Sequence, residues 1–431
     1  MRVLVLGINY WPEQTGIAPF TTGRCEYLAA RGHEVTVCTA LPYYPEWRVP
    51  PAYRRRFLVR EERNGVTILR SRIYVPEHAN PLRRVLHEGS FVLASLLRAF
   101  GQRKPDLMMV VSPPLGLAFP ALMLSRRWRV PYVFHVPDLQ PDTALDLGML
   151  SAGRVARVLY AVERLAYRNA ALISTLTEAM RQRIISKGIA TDKVKLFSDW
   201  AAPELFTIPL EDGGARFRAE HGFNGAFLVL HAGNMGVKQG LDVVLGAAEL
   251  SRAAGGLTYL LVGDGAARPT LEARAGAAKL SNVHFMPLRP RAEFMDLLAA
   301  SDACLITQQR VVADIVFPSK TLTLMAAGRP IIASVSAGSE VARVVREARA
   351  GIVVEPEDAH ALLQAISTLR SEPRTRRTMG VRARGYARVR WDRGRILAAT
   401  AAELAAVARP STEPRRERPG EIPAQPVEEE N

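Results

Sequence analysis

The chain has 431 residues, 48% of them hydrophobic, and its 57 lysines and arginines against 42 acidic residues give a net charge of +15. This length predicts two globular domains. The positive charge comes without zinc-finger spacing, an aromatic-rich RNA-binding signature or a basic tail, so we do not expect nucleic acid as a partner. Two explanations of the positive charge stay open: an ordinary solvated surface, or attraction to anionic membranes and ligands.

The cysteines and the apolar runs indicate the compartment. Cys25, Cys38 and Cys304 are scattered without metal-ligand spacing, which favours a reducing compartment and gives no reason to expect a metal. The first ten residues contain only a short apolar run and no cleavage site for a signal peptidase. No uninterrupted apolar run reaches about 18 residues, so a membrane-spanning helix is not expected. We therefore predict a cytoplasmic protein.

The first half of the chain alternates between predicted strands and helices. Arg2–Leu6 forms the first strand, a turn-rich segment and a helical pattern through Leu28 follow, and Glu34–Thr39 is the next strand. This order is a βαβ unit. Further strands are predicted at Val66–Ile73, Leu107–Val111, Tyr132–Val136 and Ala171–Ser174. The alternation predicts a parallel, doubly wound sheet in residues 1–200, the first domain.

The same pattern starts again after an exposed connection at Leu210–Gly214. A strand at Val194–Phe197 is predicted before this connection, and later strands are predicted at Phe227–His231, Thr258–Val262, Val283–Met286, Ala303–Ile306, Ile331–Ser334 and Gly351–Val354. We therefore predict an α/β fold with two tandem Rossmann-like domains facing across a cleft, the second at residues 201–385. A C-terminal helix is predicted at 386–407 and a disordered tail, rich in proline, glutamate and arginine, at 408–431.

Two segments combine glycine with lysine directly after a predicted strand or loop. In the first, the strand at Leu228 runs into Gly233 and Lys238. In the second, Pro318 and Ser319 precede Lys320, at the start of a predicted helix. Glycine allows close backbone approach, lysine supplies a point charge, and a helix start adds its positive end. Together they predict a site for a diphosphate-bearing molecule, although each lysine could instead be an ordinary surface or structural residue.

Other turns at strand ends have weaker signals. Gly263, Asp264 and Gly265 make a tight turn after a strand, which is either a plain turn or a wall of a nucleotide pocket. Gly16, in the first loop, is either a simple loop glycine or a point of close approach to a ligand. The spacing of Gly7 and Gly16 does not fit the dinucleotide-binding turn, which argues against a nicotinamide enzyme.

Titratable groups follow the strand Tyr132–Val136. His135 could donate a hydrogen bond or a proton, and Asp138 could accept a hydrogen bond from a hydroxyl group. Asp142 lies just beyond them. A histidine at such a position is as often merely packed, but three polar groups together raise the expectation of a catalytic role.

The stretch Leu82–Phe100 has arginines near both ends and a nearly continuous apolar middle. It is either a core helix of the first domain or a helix that lies on a membrane surface. Arg54–Arg56 and Arg60 could extend a basic face beside it.

Five segments together resemble the GT-B retaining glycosyltransferases of family 4, and the likeness extends from residue 1 to about residue 400. The segments are Gly7–Ile17, Arg31–Val35, Pro42–Pro45, Gly233–Gly240 and Pro318–Lys320. The resemblance implies that the second domain holds a GDP- or UDP-sugar donor and that the first binds a lipid-linked or saccharide acceptor. It also implies that the donor is a substrate, with no cofactor or metal required.

The resemblance assigns roles to several residues. Lys238 matches the diphosphate-binding lysine of the family, and the loop around Gly16 would face the donor phosphates across the cleft. Asp138 and His135 lie on the segment where such enzymes have a polar group of the catalytic site.

The sequence departs from the family at three positions. Asn234 stands where many members have an arginine, so Lys320 would supply the missing phosphate charge. Ile315 and Thr323 stand where many members have two glutamates, and the second glutamate usually contacts the ribose. Any contact of Thr323 with the ribose would therefore differ from the contact that the glutamate makes in other members.

We predict a retaining glycosyltransferase of exopolysaccharide or surface-glycan assembly, in peripheral contact with the anionic inner face of the plasma membrane. Two alternatives stay open. One is a nucleotide-sugar epimerase of the same architecture, which needs no acceptor. The other is a non-catalytic, basic, membrane-associated scaffold that keeps the fold.

Overall fold

The computed structural model describes residues 1–77, 80–146, 153–211, 213–312 and 317–409. Within these ranges the chain forms two α/β units, each built on one mainly parallel sheet. The α/β fold class predicted from the sequence, with two tandem doubly wound domains, is confirmed.

The first sheet has eight strands in the order β3-β4-β2-β1-β5-β6-β7-β8. Its strands are β1 (Arg2–Leu6), β2 (Glu34–Ala40), β3 (Leu58–Arg63), β4 (Val66–Ser71), β5 (Leu107–Val111), β6 (Tyr132–Val136), β7 (Leu172–Thr175) and β8 (Val194–Leu196). Its helices are α1 (Ala18–Ala30), α2 (Pro81–Phe100), α3 (Ala118–Trp128), α4 (Gln140–Asp146), α5 (Arg154–Asn169) and α6 (Glu178–Ser186). All neighbouring strands are parallel except β3 and β4.

The second sheet has six parallel strands in the order β11-β10-β9-β12-β13-β14. Its strands are β9 (Phe227–Ala232), β10 (Leu257–Val262), β11 (Val283–Met286), β12 (Ala303–Thr307), β13 (Ile331–Ser334) and β14 (Gly351–Val354). The remaining helices are α7 (Ala215–Glu220), α8 (Asp242–Leu250), α9 (Arg268–Ala277), α10 (Arg291–Ala300), α11 (Lys320–Ala326), α12 (Glu340–Glu347), α13 (Ala359–Ser371), α14 (Pro373–Arg390) and α15 (Arg393–Ala408).

The central strands are apolar throughout because helices cover both faces of each sheet. In β1, Leu4 packs into the core on one face, whereas Val3 and Val5 pack into the core on the other. In β9, Leu230 and Val229 divide between two cores in the same way. With both faces filled by hydrophobic packing, the carboxyl edges of the sheets are left as the places where polar groups can meet a ligand.

One strand was missed in the sequence. Residues predicted only as a basic face, including Arg60, belong to β3, which pairs antiparallel with β4 at the edge of the first sheet. Leu58–Arg63 contains four charged residues and only two apolar ones. Charged side chains are common on edge strands, where they oppose pairing with other chains, and here they hide the alternation typical of a strand.

The end of the described chain returns to the first domain. The predicted helix 386–407 falls on two helices, because α14 ends at Arg390 and α15 begins at Arg393. Asp392 caps α15 by accepting the N–H of Arg395 at 2.7 Å. Leu404 of α15 is buried in the same core as Val3. The predicted tail lies outside the described residues from 410 onward.

Candidate functional site

The two domains approach each other at the carboxyl ends of their strands. Burial raises the pKa of Asp138, which follows β6, and the charge of Lys238, which follows β9, lies close enough to oppose this rise. Segments singled out separately in the two halves of the sequence therefore meet at one cleft.

Two glycine turns interlock at this edge of the second sheet. Gly233 and Gly263 have φ angles of +130° and +143°, which favour glycine. A Cβ atom on Gly263 would lie 1.9 Å from the carbonyl oxygen of Gly233, and one on Gly265 would lie 2.5 Å from Oδ1 of Asn234. Asp264 supports the same arrangement, since its carbonyl accepts the N–H of the residue after Asn234 at 2.8 Å. The second turn thus shapes the loop that carries Lys238.

The backbone around Lys238 is held firmly while its side chain is not. The N–H of Gln309 donates to the carbonyl oxygen of Lys238 at 3.0 Å. Gly240 has a φ of +57°, and a Cβ atom there would lie 3.1 Å from the side chain of Gln309. Among the described residues, no hydrogen bond or ion pair engages the ammonium group of Lys238. The loop therefore presents a cation to the cleft.

Lys320 begins α11, and its ammonium is buried. Its Nζ atom has no hydrogen-bond partner within the described ranges. It lies 3.7 Å from the position that a Cβ atom on Gly233 would take. Burial lowers the pKa of Lys320 to about 8. The hydroxyl groups of Thr307 and Thr321, at the same edge of the sheet, are also buried and unpartnered in the described structure.

Unpartnered polar atoms are rare inside proteins because each costs free energy that a hydrogen bond would recover. A buried ammonium and buried hydroxyl donors at the same edge of the sheet fit an anionic ligand. Pro318 and Ser319 shape this corner, since the carbonyl oxygen of Pro318 accepts the N–H of Thr321 at 2.9 Å. Ser319 is exposed, and its carbonyl oxygen accepts the N–H of Thr323 at 3.3 Å.

Of the two positions at which many family members have a glutamate, the structure describes only Thr323. Thr323 is half-buried on the first turns of α11, and its hydroxyl lies 3.5 Å from the carbonyl oxygen of Ser319. Ile315 lies outside the described residues. Ribose contact by Thr323 stays a prediction.

The predicted catalytic residues have different surroundings. His135 is 1% exposed, and its Nδ1 lies 3.0 Å from Oγ of Ser174. Burial, with the nearby charge of Arg24, holds its pKa well below the usual value, so its ring is neutral. Asp138 lies at the cleft, accepts a hydrogen bond from Thr143 at 2.8 Å and has its pKa raised by burial. Both catalytic roles stay predictions, and the geometry favours Asp138.

Asp142 has a structural partner. It is 2% exposed and pairs with Arg183 of α6 and with Lys187, the residue after this helix, and Lys187 also bonds Glu163 of α5. These ion pairs anchor α4, the helix that follows Asp138. Asp142 therefore positions the strand-end segment and does not face a ligand.

The first loop contains a buried acid that the sequence did not single out. Oε1 of Glu13 accepts the N–H groups of Tyr43 and Tyr44, both at 2.9 Å. Gly16 has a φ of +64°, and a Cβ atom on it would lie 3.5 Å from the ring of Tyr44. Glu13 and Tyr44 both lie in segments that carried the family resemblance, which was the only signal for them.

Within the described ranges, no three histidine, cysteine, aspartate or glutamate side chains group as metal ligands would. In the same ranges, no helix has the length and apolar character needed to cross a bilayer.

Comparisons with known proteins agree with this architecture. Residues 15–200 match the glycosyl transferase 4-like domain, and residues 226–372 match the glycosyl transferases group 1 family. The chain therefore belongs to the GT-B glycosyltransferases of family 4, and it is an enzyme of the transferase class.

Among its relatives is WcaI of Escherichia coli K12, named as a colanic acid biosynthesis glycosyl transferase. The two are 36% identical over 374 residues, which cover 85% of this chain and 91% of WcaI. WbjE of Pseudomonas aeruginosa, named a glycosyltransferase, is 27% identical over 62% of this chain and 66% of its own.

Solved structures share the fold at low identity. Sucrose-phosphate synthase from Thermosynechococcus elongatus matches with a TM-score of 0.72 and 17% identity, over 94% of this chain and 98% of its own. HepE of Anabaena, solved in complex with UDP-glucose, matches with a TM-score of 0.66 and 17% identity, over 94% of this chain and 100% of its own.

The buried ammonium of Lys320 predicts a pH-dependent stability. Its pKa is about 8 in the folded chain and near 10.5 when unfolded. Between these values the unfolded state binds the extra proton, so stability should rise with pH. From pH 7 to 10, Lys320 should add about 2 kcal/mol to the free energy of unfolding, a gain that Lys320→Met lacks.

Urea unfolding of wild type, Lys320→Met and the partly exposed control Lys195→Met across this pH range measures the effect. Parallel profiles for wild type and Lys320→Met would show that Lys320 is not a buried cation.

Proposed function

We propose that this protein is a retaining glycosyltransferase that moves a sugar from a nucleoside-diphosphate sugar to a lipid-linked or saccharide acceptor in surface-glycan assembly. The observation that carries the proposal is the buried ammonium of Lys320, which has no hydrogen-bond partner among the described residues and lies beside Gly233, at the same cleft edge as Lys238. Two cations at one edge fit a diphosphate better than they fit a single carboxylate.

The chemistry requires stabilisation of the charge that develops on the departing diphosphate. Lys320 suits this task because a cation shielded from water interacts more strongly with an anion than an exposed one does. Lys238 would approach the same diphosphate from the loop that follows β9. The donor sugar would then lie between these lysines and Asp138, which could accept a hydrogen bond from a hydroxyl group of a substrate.

In a retaining transfer of this kind, the acceptor hydroxyl attacks from the face that the diphosphate leaves. The bond from the sugar carbon to the diphosphate oxygen breaks as the bond to the acceptor oxygen forms. The acceptor proton passes to a phosphate oxygen of the leaving group. Closure of the two domains would exclude water and limit hydrolysis of the donor.

The relatives support the class of donor and acceptor. HepE is solved with UDP-glucose, and WcaI is named for the synthesis of colanic acid. A UDP- or GDP-sugar donor and a surface-glycan acceptor are consistent with both. Asn234, where many family members have an arginine, is exposed and neutral, which leaves the diphosphate charge to the two lysines.

A panel of UDP- and GDP-sugars tests the proposal. At least one should raise the melting temperature, as a ligand selective for the native state must. With a membrane extract as acceptor source, the same sugar should be transferred, and NMR of the product should show the anomeric configuration of the donor retained.

Each alternative has its own outcome in this experiment. An epimer formed from the nucleotide sugar alone would favour the epimerase. A chain protected by no nucleotide sugar would favour the non-catalytic scaffold and would contradict the proposal.

We further propose that the first domain rests on an anionic membrane surface. One side of α2 is an exposed apolar stripe whose members lie three to four residues apart or at multiples of that spacing. They are Leu82, Val85, Leu86, Leu93, Leu97 and Phe100, each at least half exposed. The opposite side of α2 is buried through Phe91 and Ala99. The buried side fits the core-helix alternative predicted from its sequence, and for the exposed side we propose the membrane-surface alternative.

Neighbouring helices also expose apolar residues, and exposed arginines lie close to them in sequence. Phe119 and Met123 of α3, which packs against α2, and Val155 and Val158 of α5, which packs against α3, are exposed. Nearby exposed arginines are Arg83, Arg126, Arg127, Arg154 and Arg157, and Arg54, Arg55 and Arg56 precede the exposed Phe57. Apart from Glu88, α2 and α3 contain no acid. An apolar face rimmed by cations suits anionic headgroups above a hydrocarbon layer.

Vesicle binding tests this surface. Leu86→Glu/Leu93→Glu should bind equimolar phosphatidylglycerol–phosphatidylcholine vesicles at least about tenfold more weakly, a loss of roughly 1.4 kcal/mol. Leu250→Glu/Leu288→Glu, which changes two exposed leucines of the second domain, should bind as wild type does. Co-sedimentation of the wild type that is absent at every salt concentration would end the proposal.

A further inference from the structure

An aromatic cluster lies where α2 meets the cleft, and the proposed donor site does not use it. The ring of His87 lies 4.8 Å from that of Tyr43 and 5.2 Å from that of Trp47, measured between centroids. Nε2 of His87 lies 3.0 Å from the hydroxyl of Tyr43, and Nδ1 lies 2.6 Å from the carbonyl oxygen of Tyr74. Both ring nitrogens of His87 have hydrogen-bond partners, so His87 holds this aromatic cluster in place.

Glu13 holds in place Tyr44, the residue that follows Tyr43 of this aromatic cluster. It is 8% exposed, and besides the N–H groups of Tyr43 and Tyr44 it accepts the side-chain N–H of Asn9 at 2.9 Å. With the backbone of Tyr44 pinned, its half-buried ring lies beside Gly16. An ordered aromatic ring therefore borders the loop that the family resemblance places opposite the donor.

Glu88 brings a carboxylate to the aromatic cluster. It hydrogen-bonds the side chain of Gln140, whose Oε1 accepts the N–H of Leu115 at 2.8 Å. Because Oε1 of Gln140 is engaged, its amide N–H donates to Glu88. Burial raises the pKa of Glu88, although this bond and the charge of Arg84 favour the carboxylate.

Arg84 joins the cluster to the predicted catalytic segment. Its charge acts on Glu88, on Tyr44 and on Asp138. Lys238 acts on the same Asp138 from the second domain. The geometry agrees, since Arg84 lies one turn before Glu88 on α2 and His87, next to Glu88, contacts Tyr43. Gln140, the partner of Glu88, is two residues after Asp138. The aromatic ring, two carboxylates and a guanidinium therefore lie near one another in the first domain.

We propose that Tyr44, Arg84 and Glu88 form the subsite that binds the acceptor sugar, and that Glu88 selects it by accepting hydrogen bonds from its hydroxyl groups. The inference rests on the proposed function and deepens it. A sugar offers hydroxyl donors to a carboxylate and an apolar C–H face to an aromatic ring. Arg84 donates to ring or hydroxyl oxygens, and Asp138 lies at the end of the subsite nearest the donor.

The position of Glu88 on α2 relates this subsite to the membrane surface. The inner side of the helix bears Glu88, and its outer side bears the exposed apolar stripe. An acceptor sugar attached to a lipid could therefore occupy the subsite while its lipid stays in the bilayer.

Binding of simple glycosides to the nucleotide-loaded protein tests the subsite. The probes are the methyl glycosides of glucose, galactose, mannose and N-acetylglucosamine, with the protein saturated with UDP or GDP and binding followed by saturation-transfer NMR. Wild type should bind at least one. Glu88→Gln should weaken that binding about tenfold, since a charged hydrogen-bond acceptor becomes a neutral one. Tyr44→Ala should weaken it similarly, and Tyr44→Phe should retain it.

Three controls separate the possible outcomes. Glu62→Gln, at an exposed acid of the edge strand, should bind nucleotide and glycoside as wild type does. Glu88→Gln should keep the wild-type melting temperature and nucleotide affinity, which excludes misfolding. Wild-type glycoside affinity in Glu88→Gln, or no glycoside binding by a wild type that binds nucleotide, would overturn the subsite. Failure to bind either nucleotide would instead count against the proposed function.

Discussion

The site depends on a buried cation that has no counter-charge among the described residues. An ammonium taken from water loses its hydration, and Lys320 has no hydrogen-bond partner among the described residues to replace it. The cost is visible in its pKa, which burial lowers to about 8. A fold that keeps such a group gains from binding an anion there, because the ligand restores the interactions that burial removed. The glycine turns around Gly233 and Gly263 leave room for that anion and hold Lys238 near it.

The second domain alone cannot complete the site, so the junction between the domains matters. Arg24 of α1 is buried and donates to the carbonyl oxygen of Phe197 at 2.8 Å and to Oδ1 of Asp199 at 3.0 Å. Burial raises the pKa of Asp199 to about 6. Trp200 packs on α1 so closely that a Cβ atom on Gly23 would lie 2.5 Å from its ring. These contacts tie the start of the connection to the helix that follows the Gly16 loop.

The chain passes between the domains a second time at the junction of α14 and α15, and this second connection lies beside the first. The N–H of Ala201 donates to the carbonyl oxygen of Trp391 at 3.1 Å. The guanidinium of Arg393, at the start of α15, lies 5.8 Å from the ring of Trp200. With both crossings joined in this way, the opening or closing of the cleft would be concentrated at a few residues, which is how hinge motions of packed domains usually work.

The sequence alone predicted the secondary structure correctly where a single local pattern determines it. The apolar runs of β1, β5 and β6 have the predicted limits because both faces of a parallel strand are buried. The glycine and lysine motifs also predicted which strand ends would carry polar groups. β3 was missed because its charges hide the alternation. Glu13 and Glu88 were missed as site residues because their importance comes from contacts with chain segments far away in sequence. The catalytic role of His135 stays a prediction, since its motif is suggestive but its ring is buried.

The central claim is that Lys238 and Lys320 share one diphosphate, and a double-mutant cycle tests it most directly. UDP or GDP affinity and sugar transfer would be measured for wild type, Lys238→Ala, Lys320→Met and the double variant, with Lys195→Ala as a surface control. Each single change should reduce transfer at least about tenfold with the fold intact, and the loss of binding free energy in the double variant should differ from the sum by more than about 0.5 kcal/mol. Near-normal transfer by Lys238→Ala, or strictly additive losses, would contradict the claim.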